Sequence, residues 1–144
     1  MNAYQERDNT LSSIGFSSYA DYLRSHTWRD IRAAVHAKYK GQCVICAGQA
    51  KNIHHASYSK AALEGTVLDQ LFPLCNFCHQ KIEFTPGGTK RGFMEANSLF
   101  HQLRPAVLPE RQPGPRHKRR RQKRASWTSQ NQERIAYELN HQFP

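Results

Sequence analysis

The sequence lacks any long run of apolar residues. No segment of the 144 residues approaches the roughly 20 consecutive apolar positions that a membrane-spanning helix needs. The first ten residues are polar and lack the apolar core of a secretory signal. These absences exclude a membrane partner, and we expect a cytoplasmic protein.

Acidic residues are also scarce. Eleven Asp and Glu stand against 21 Lys and Arg, which gives a formal net charge of +10. Such an excess favours a polyanion as the partner, most often nucleic acid. The length allows one domain with a modest core and tails, and it argues against a multidomain machine.

Cysteines are few, and they are not scattered as in a disulfide-stapled secreted domain. They form two C-x-x-C pairs, Cys43 with Cys46 and Cys75 with Cys78. Two such turns can present four thiolates to a structural zinc ion, which predicts a closed Zn²⁺ site that holds the fold and does no chemistry. A dithiol redox pair and free core cysteines are the alternatives.

Basic residues are concentrated near the end of the chain. Residues 111–124 contain eight of them and no acid, so the rest of the chain carries only +2. With four nearby prolines, this composition predicts a Pro-containing basic linker or arm over residues 105–128, followed by a short C-terminal helix or tail over 129–144. A solvated tail is the alternative to a nucleic-acid-binding arm. The residues expected to bind phosphate are Arg116, Lys118, Arg119, Arg120, Arg121, Lys123 and Arg124.

The compact part of the chain is expected to cover residues 17–104, after a flexible N-terminal segment over 1–16. Ser18 and Asp21 have the spacing of a capping box at a helix start, and Thr27 begins a second such signal. Two leading helices follow from this pattern.

Apolar spacing extends the prediction along the chain. Trp28, Ile31 and Val35 recur at intervals of three and four, which is typical of the core face of a helix and not of a binding platform. Short strands fit the irregular segment between the cysteine pairs. Residues 79–84 can open a helix, and residues 93–103 are expected to form a closing helix.

Histidines mark a candidate site around the second cysteine pair. His54 and His55 are adjacent, and His79 follows Cys78 directly. Glu83 lies four residues after His79, so a helix would place both on one face, where they can converge on one cation. Neighbouring residues of a strand point to opposite faces, so one of the paired histidines can bind metal while the other addresses substrate.

With these residues, the sequence resembles the HNH endonuclease family, also called ββα-metal or His-Me finger nucleases. The resemblance covers residues 17–84, roughly half of the chain. It is carried by Y-L-R-S at 22–25 with Trp28 and I-R at 31–32, C-V-I-C at 43–46, I-H-H-A-S-Y at 53–58 and L-F-P-L-C-N-F-C-H at 71–79.

The resemblance implies a fold and a set of roles. The fold would be a small α+β, zinc-stabilised, treble-clef-like module with leading helices and a basic tail. His54 would bind a catalytic divalent ion and His55 would be the general base. His79 and Glu83 would complete the metal site; the family has a second histidine where this chain has Glu83, and a carboxylate is a competent ligand for Mg²⁺, Mn²⁺ or Zn²⁺.

The family's middle residue, usually Asn, orients the general base. It falls at Gln70, nine residues before His79, and Asp69 is the candidate if the register slips. Gln keeps the amide group and adds one methylene.

The sequence therefore predicts a metal-dependent HNH endonuclease that hydrolyses DNA phosphodiester bonds, by nicking or by cutting both strands, in a bacterial or phage-infected cell. Lys81, Lys90 and Arg91 can add phosphate contacts near the site. A noncatalytic zinc-dependent nucleic-acid-binding module, in which His55 is a hydrogen-bonded structural residue, is the main alternative. A zinc-bound protein-interaction finger is a weaker one, because it leaves the basic arm unexplained.

Overall fold

A computed structural model describes residues 2–110, which form a small mixed α/β fold around a two-stranded sheet. The predicted basic arm and the C-terminal helix or tail lie outside these residues, apart from 105–110, which form neither helix nor strand. In chain order the elements are α1 (Ala3–Ser13), α2 (Tyr19–Arg24), α3 (His26–Lys38), β1 (Asn52–His55), α4 (Lys60–Glu64), β2 (Leu71–Leu74), α5 (Asn76–Glu83) and α6 (Phe93–Leu103). Over residues 2–110, every helix is too short or too polar to cross a membrane.

The N-terminal segment differs from the expectation. The sequence predicts a flexible segment over residues 1–16, but α1 is a capped helix: the Asn2 side chain accepts from backbone N–H groups, and Gln5 returns a capping-box bond. Leu11 is completely buried and joins the core. The sequence signal was weak because α1 is otherwise mostly polar and docks through few apolar residues.

The two leading helices agree with the prediction, with one correction at a cap. Ser18 caps α2 and accepts from the backbone N–H of Asp21, as its spacing indicates. The cap of α3 is Ser25 and not Thr27: the Ser25 hydroxyl accepts from the Trp28 N–H at 3.1 Å. Ser25 takes this role because its backbone is extended between the two helices, whereas Thr27 already lies in the first turn of α3.

The sheet is an antiparallel pair that pairs His55 with Leu71 and Asn52 with Leu74. The segment joining its strands contains α4, a short helix that the sequence did not indicate. Gly65 ends α4 in the left-handed conformation, at φ +76°, and a Cβ there would approach Ile31 Cγ1 to 2.5 Å. Only glycine fits this close approach of α4 to α3.

The core lies between the sheet and the helices around it. The predicted helical face of α3 is buried, and α6 spans the residues that its apolar spacing predicts. The largest side chains with almost no exposure are Leu11, Tyr22, Val35, Val44, Leu63, Leu71, Leu74, Ile82 and Phe100. This packing fixes the end of β1 between α3 on one side and α5 and α6 on the other.

Candidate functional site

The two cysteine pairs converge at one end of the sheet. The four sulfur atoms all lie within 4.8 Å of one another. Cys75 also caps α5, since its sulfur accepts from the Cys78 N–H at 3.4 Å. Ala47, which precedes β1 in the chain, adopts a left-handed backbone conformation just after Cys46. The Cys43 N–H donates to the Gly48 carbonyl and closes the first cysteine turn.

This cluster fits a zinc ion. Zn–S bonds of about 2.3 Å in a tetrahedron separate the sulfur atoms by about 3.8 Å, and Cys46 Sγ and Cys75 Sγ lie 3.6 Å apart. The four cysteines can therefore hold a structural metal ion such as zinc. Such an ion would tie the first cysteine turn to the start of α5.

The adjacent histidines end β1, and both are buried. His54 contacts the Phe100 ring on α6, with ring centroids 4.8 Å apart. His55 stacks on Trp28 of α3 and on Tyr58, at centroid distances of 5.0 and 5.4 Å. The two rings thus contact different elements, as the alternation of a strand predicts.

One cavity of about 180 Å³ gathers the histidines and the glutamate of the candidate site that the sequence predicts. Both histidines line it, together with His79 and Glu83 of α5. Its remaining lining residues come from α1, α2, β1, α6 and the loops: Tyr4, Arg7, Tyr19, Ile53, Tyr58, Lys90, Phe93 and Ala96.

His54 is held between an amide and a carboxylate. Its Nε2 lies 2.8 Å from the Asn97 side-chain oxygen, and its Nδ1 lies 3.6 Å from Glu83 Oε1. The same Asn97 donates through Nδ2 to the Ala56 carbonyl at 3.0 Å. The contact with His54 is the main cause that lowers the pKa of Glu83, so its carboxylate is charged at neutral pH.

His79 faces the same cavity but does not complete a close ligand set. Over residues 2–110, the four cysteines are the set of three or more metal-binding side chains whose ligand atoms all come within 4.8 Å. His54 Nδ1 and Glu83 Oε1 are close enough to bind one metal ion together. Burial is the main cause that lowers the pKa of His79, which favours the neutral, metal-binding imidazole.

His55 is neutral at pH 7. Burial, the largest cause, and the neighbouring His54 and Arg7 lower its pKa to about 3. Its Nε2 is buried without a hydrogen-bond partner among the residues that the structure describes. A buried imidazole nitrogen in this state, at the wall of a cavity, can take a hydrogen bond from a water molecule or a ligand.

Gln70 does not join the site. Its side chain is exposed and lies outside the cavity lining, and its backbone carbonyl accepts from the Ala56 N–H at 2.9 Å. Asp69, the alternative, is exposed and forms an ion pair with Lys38. Both residues lie in the turn before β2, where the backbone bond to Ala56 and not a side chain holds the end of β1.

Of the three basic residues expected near the site, only Lys90 lines the cavity. Arg91 has a different role: its guanidinium donates to the carbonyls of Lys81 and Ile82, at 2.8 and 3.2 Å, and also to that of Phe84. This arginine is thus used to fix the end of α5, and Lys81 is exposed.

Sequence reasoning missed two polar residues of the site, Arg7 and Asn97. The Arg7 guanidinium carbon lies 4.1 Å from the Tyr19 ring centroid and 5.6 Å from that of Tyr58, and its side chain is largely buried. A signal existed for each: Arg7 lies one turn before the buried Leu11, and Asn97 is a polar residue on the apolar face of α6.

Comparisons with known protein families, curated proteins and solved structures give no match. The site is therefore defined by this chain's own geometry. It comprises a four-cysteine cluster and, beside it, a cavity with three histidines, one carboxylate and two cations.

Proposed function

We propose that this chain is a metal-dependent endonuclease of the HNH type that hydrolyses DNA phosphodiester bonds. The observation that carries the proposal is one cavity in which His54 and His55, at the end of a strand pair, face His79 and Glu83 of the following helix. This ββα order agrees with the sequence resemblance, and the cysteine cluster would brace it.

His55 is the proposed general base. Its neutral ring has one nitrogen, Nε2, that is buried and unpaired within residues 2–110. A water molecule bonded there would donate its proton to the ring as it attacks phosphorus. The stacked rings of Trp28 and Tyr58 restrict the imidazole to this orientation.

His54 and Glu83, with His79 beside them, are the proposed ligands of a divalent cation. When bound, the cation neutralises charge on the scissile phosphate and on the departing 3′ oxygen. The donor set suits Mg²⁺, Mn²⁺ or Zn²⁺, because it combines imidazole nitrogen with a charged carboxylate. Glu83 contributes its charge at neutral pH, as its lowered pKa indicates.

Positive charge around the cavity supports a phosphate substrate. Arg7 and Lys90 line it from α1 and from the loop before α6. Both can donate to non-bridging phosphate oxygens. The basic residues of the C-terminal arm, expected from the sequence, would add affinity that does not depend on DNA sequence.

The test is cleavage of supercoiled plasmid by zinc-loaded protein with Mg²⁺, Mn²⁺, added Zn²⁺ or EDTA. We expect nicking that needs a divalent cation, and a loss of about 10²- to 10⁴-fold in His55→Ala. His26→Ala is the matched control, since His26 is exposed at the start of α3. Zinc content is measured in all three proteins. Equal cleavage by His55→Ala would refute the proposed base.

A noncatalytic zinc-dependent nucleic-acid-binding module is the second candidate. It is favoured by the aromatic surroundings of His55 and by its pKa of about 3, which are features of a core histidine. This candidate predicts DNA binding at low salt without cleavage under any of the cations. It also predicts that His55→Ala changes stability and leaves DNA affinity intact.

A further inference from the structure

Asn97 lies where an amide is unusual. It belongs to the inward face of α6, between Phe93 and Phe100, and its side chain reaches across to β1. Both ends of its amide are used there: the oxygen faces His54 Nε2, and the nitrogen donates to the Ala56 carbonyl.

The direction of this amide follows from the Ala56 contact. A backbone carbonyl only accepts, so the NH₂ group of Asn97 must face Ala56 and its oxygen must face the ring. The oxygen also only accepts, so His54 Nε2 must carry a proton. In the neutral imidazole this leaves the lone pair on Nδ1.

That lone pair faces a negative charge. Nδ1 of His54 lies 3.6 Å from the Glu83 carboxylate oxygen, so this contact is favourable either with a proton on Nδ1, which then donates to Glu83, or with a metal cation between the two atoms. With metal bonds of about 2.0–2.2 Å to each atom, a divalent ion fits a separation of this size. The Asn97 contact therefore leaves His54 Nδ1 directed toward Glu83, with its lone pair available to bind a metal ion.

Resting on the proposed function, we propose that Asn97 is a positioning residue. It fixes the Nε2–H tautomer of His54, and so it raises the affinity of the pair His54 and Glu83 for a divalent cation. Asn97 acts through His54 and does not touch the cation or the phosphate. Removal of a group that orients a metal ligand typically costs about 10- to 100-fold in metal affinity.

The variants separate the amide from its surroundings. Asn97→Leu keeps the branched shape and the number of side-chain heavy atoms and suits the apolar face of α6, but it has no acceptor. Asn97→Ala is made in parallel, so that a folding defect in one variant does not decide the test. Asn97→Asp keeps an oxygen toward His54 but loses the donor to Ala56, so it tests rescue by the acceptor alone. Ser98→Ala is the matched control, since Ser98 is an exposed polar neighbour on the same helix.

Two readouts do not depend on DNA cleavage. The first is the nitrogen-15 spectrum of the histidine rings in zinc-loaded protein with added Mg²⁺, with the His54 signal assigned by its loss in His54→Gln. The second is binding of Mn²⁺ to the zinc-loaded protein, followed by electron paramagnetic resonance.

We expect the Nε2–H tautomer in the wild type, in Asn97→Asp and in Ser98→Ala, and its loss in Asn97→Leu and Asn97→Ala. Mn²⁺ affinity should fall about 10- to 100-fold in the latter two variants only. An unchanged tautomer and affinity in either variant would overturn the proposal, and so would a wild type that binds no Mn²⁺ beyond its zinc. A wild type that binds Mn²⁺ but cuts no DNA would refute the nuclease and leave the role of Asn97 standing.

Discussion

The ring of His55 stacks on the ring of Trp28, with centroids 5.0 Å apart and planes inclined by 24°. Trp28 belongs to the core face of α3, so a residue of the hydrophobic core covers one face of the His55 imidazole, the proposed general base. The stability of α3 packing and the orientation of His55 therefore depend on the same side chain.

Replacing Trp28 tests this dependence. Trp28→Ala should lower the free energy of unfolding by about 3–5 kcal/mol, because the side chain is buried and a cavity would remain. Trp28→Phe should lose less and keep part of the stacking on His55. Urea denaturation measures both variants, and Phe77→Ala is the control, since that ring is 75% exposed. A change below about 1 kcal/mol in Trp28→Ala would contradict the packing.

Zinc removal should unfold the cysteine end of the molecule. The four sulfur atoms lie within 4.8 Å of one another, so a bound ion would link the first cysteine turn to α5, whereas the backbone bond from Val44 N–H to the Pro73 carbonyl reaches only β2. We expect one zinc per chain by mass spectrometry under native conditions, and loss of cooperative thermal unfolding after treatment with a strong chelator. Cys43→Ser should reproduce the chelated state, whereas His101→Ala should keep its zinc. Cooperative unfolding of a zinc-free protein would show that the cluster is not structural.

Gln70 and Glu83 distinguish the family pattern from the observed geometry. Gln70 is exposed and lies outside the cavity, so Gln70→Ala should change cleavage by no more than about twofold. Glu83→Gln removes the charge that faces His54 and should lower Mn²⁺ affinity by at least about tenfold. Initial nicking rates and Mn²⁺ titrations measure the two effects. A large loss in Gln70→Ala would instead support its role as the orienting residue.

Much of the fold was predictable because motifs of a few neighbouring residues indicate it. The cysteine spacing predicted the cluster, the Ser18 cap predicted the start of α2, and apolar periodicity predicted α6 with its limits. The positions of α1 and α4 were not predictable in this way. Their sequences are polar or short, and their places are set by tertiary contacts, such as the burial of Leu11 and the close approach at Gly65.

The candidate site was predictable to a similar degree. Adjacent histidines and a helix with His79 and Glu83 can be read from spacing, and the structure brings all four residues to one cavity. Asn97 lies 43 residues from His54 along the chain, so their pairing depends on how α6 packs against the strand. Gln70 was predicted from its position in the family motif, but its side chain lies outside the cavity, because sequence position alone does not determine where a side chain lies.

Arg7 should contribute to DNA affinity through the cavity. Its guanidinium packs on Tyr19 and lines the cavity beside the histidines. Arg7→Ala should weaken plasmid binding and cleavage by about 10-fold, the size of one charge-assisted phosphate contact. Arg24→Ala is the control, because that arginine is exposed and pairs with Asp21 on α2. Fluorescence anisotropy with a short DNA duplex measures binding, and equal affinities for the two variants would remove Arg7 from the interface.

The basic arm should determine how DNA affinity depends on salt. Each phosphate neutralised by a cation contributes about −0.9 to the slope of log affinity against log salt concentration for duplex DNA. Changing the seven Lys and Arg residues between 116 and 124 to Gln in the full-length chain should therefore reduce that slope by up to about six. Cleavage by the substituted protein at low salt should persist, because the proposed catalytic residues lie on β1 and α5. Anisotropy titrations between low and physiological salt measure the slope. An unchanged slope would show that the arm does not bind DNA and would leave Arg7 and Lys90 as the cations that bind phosphate.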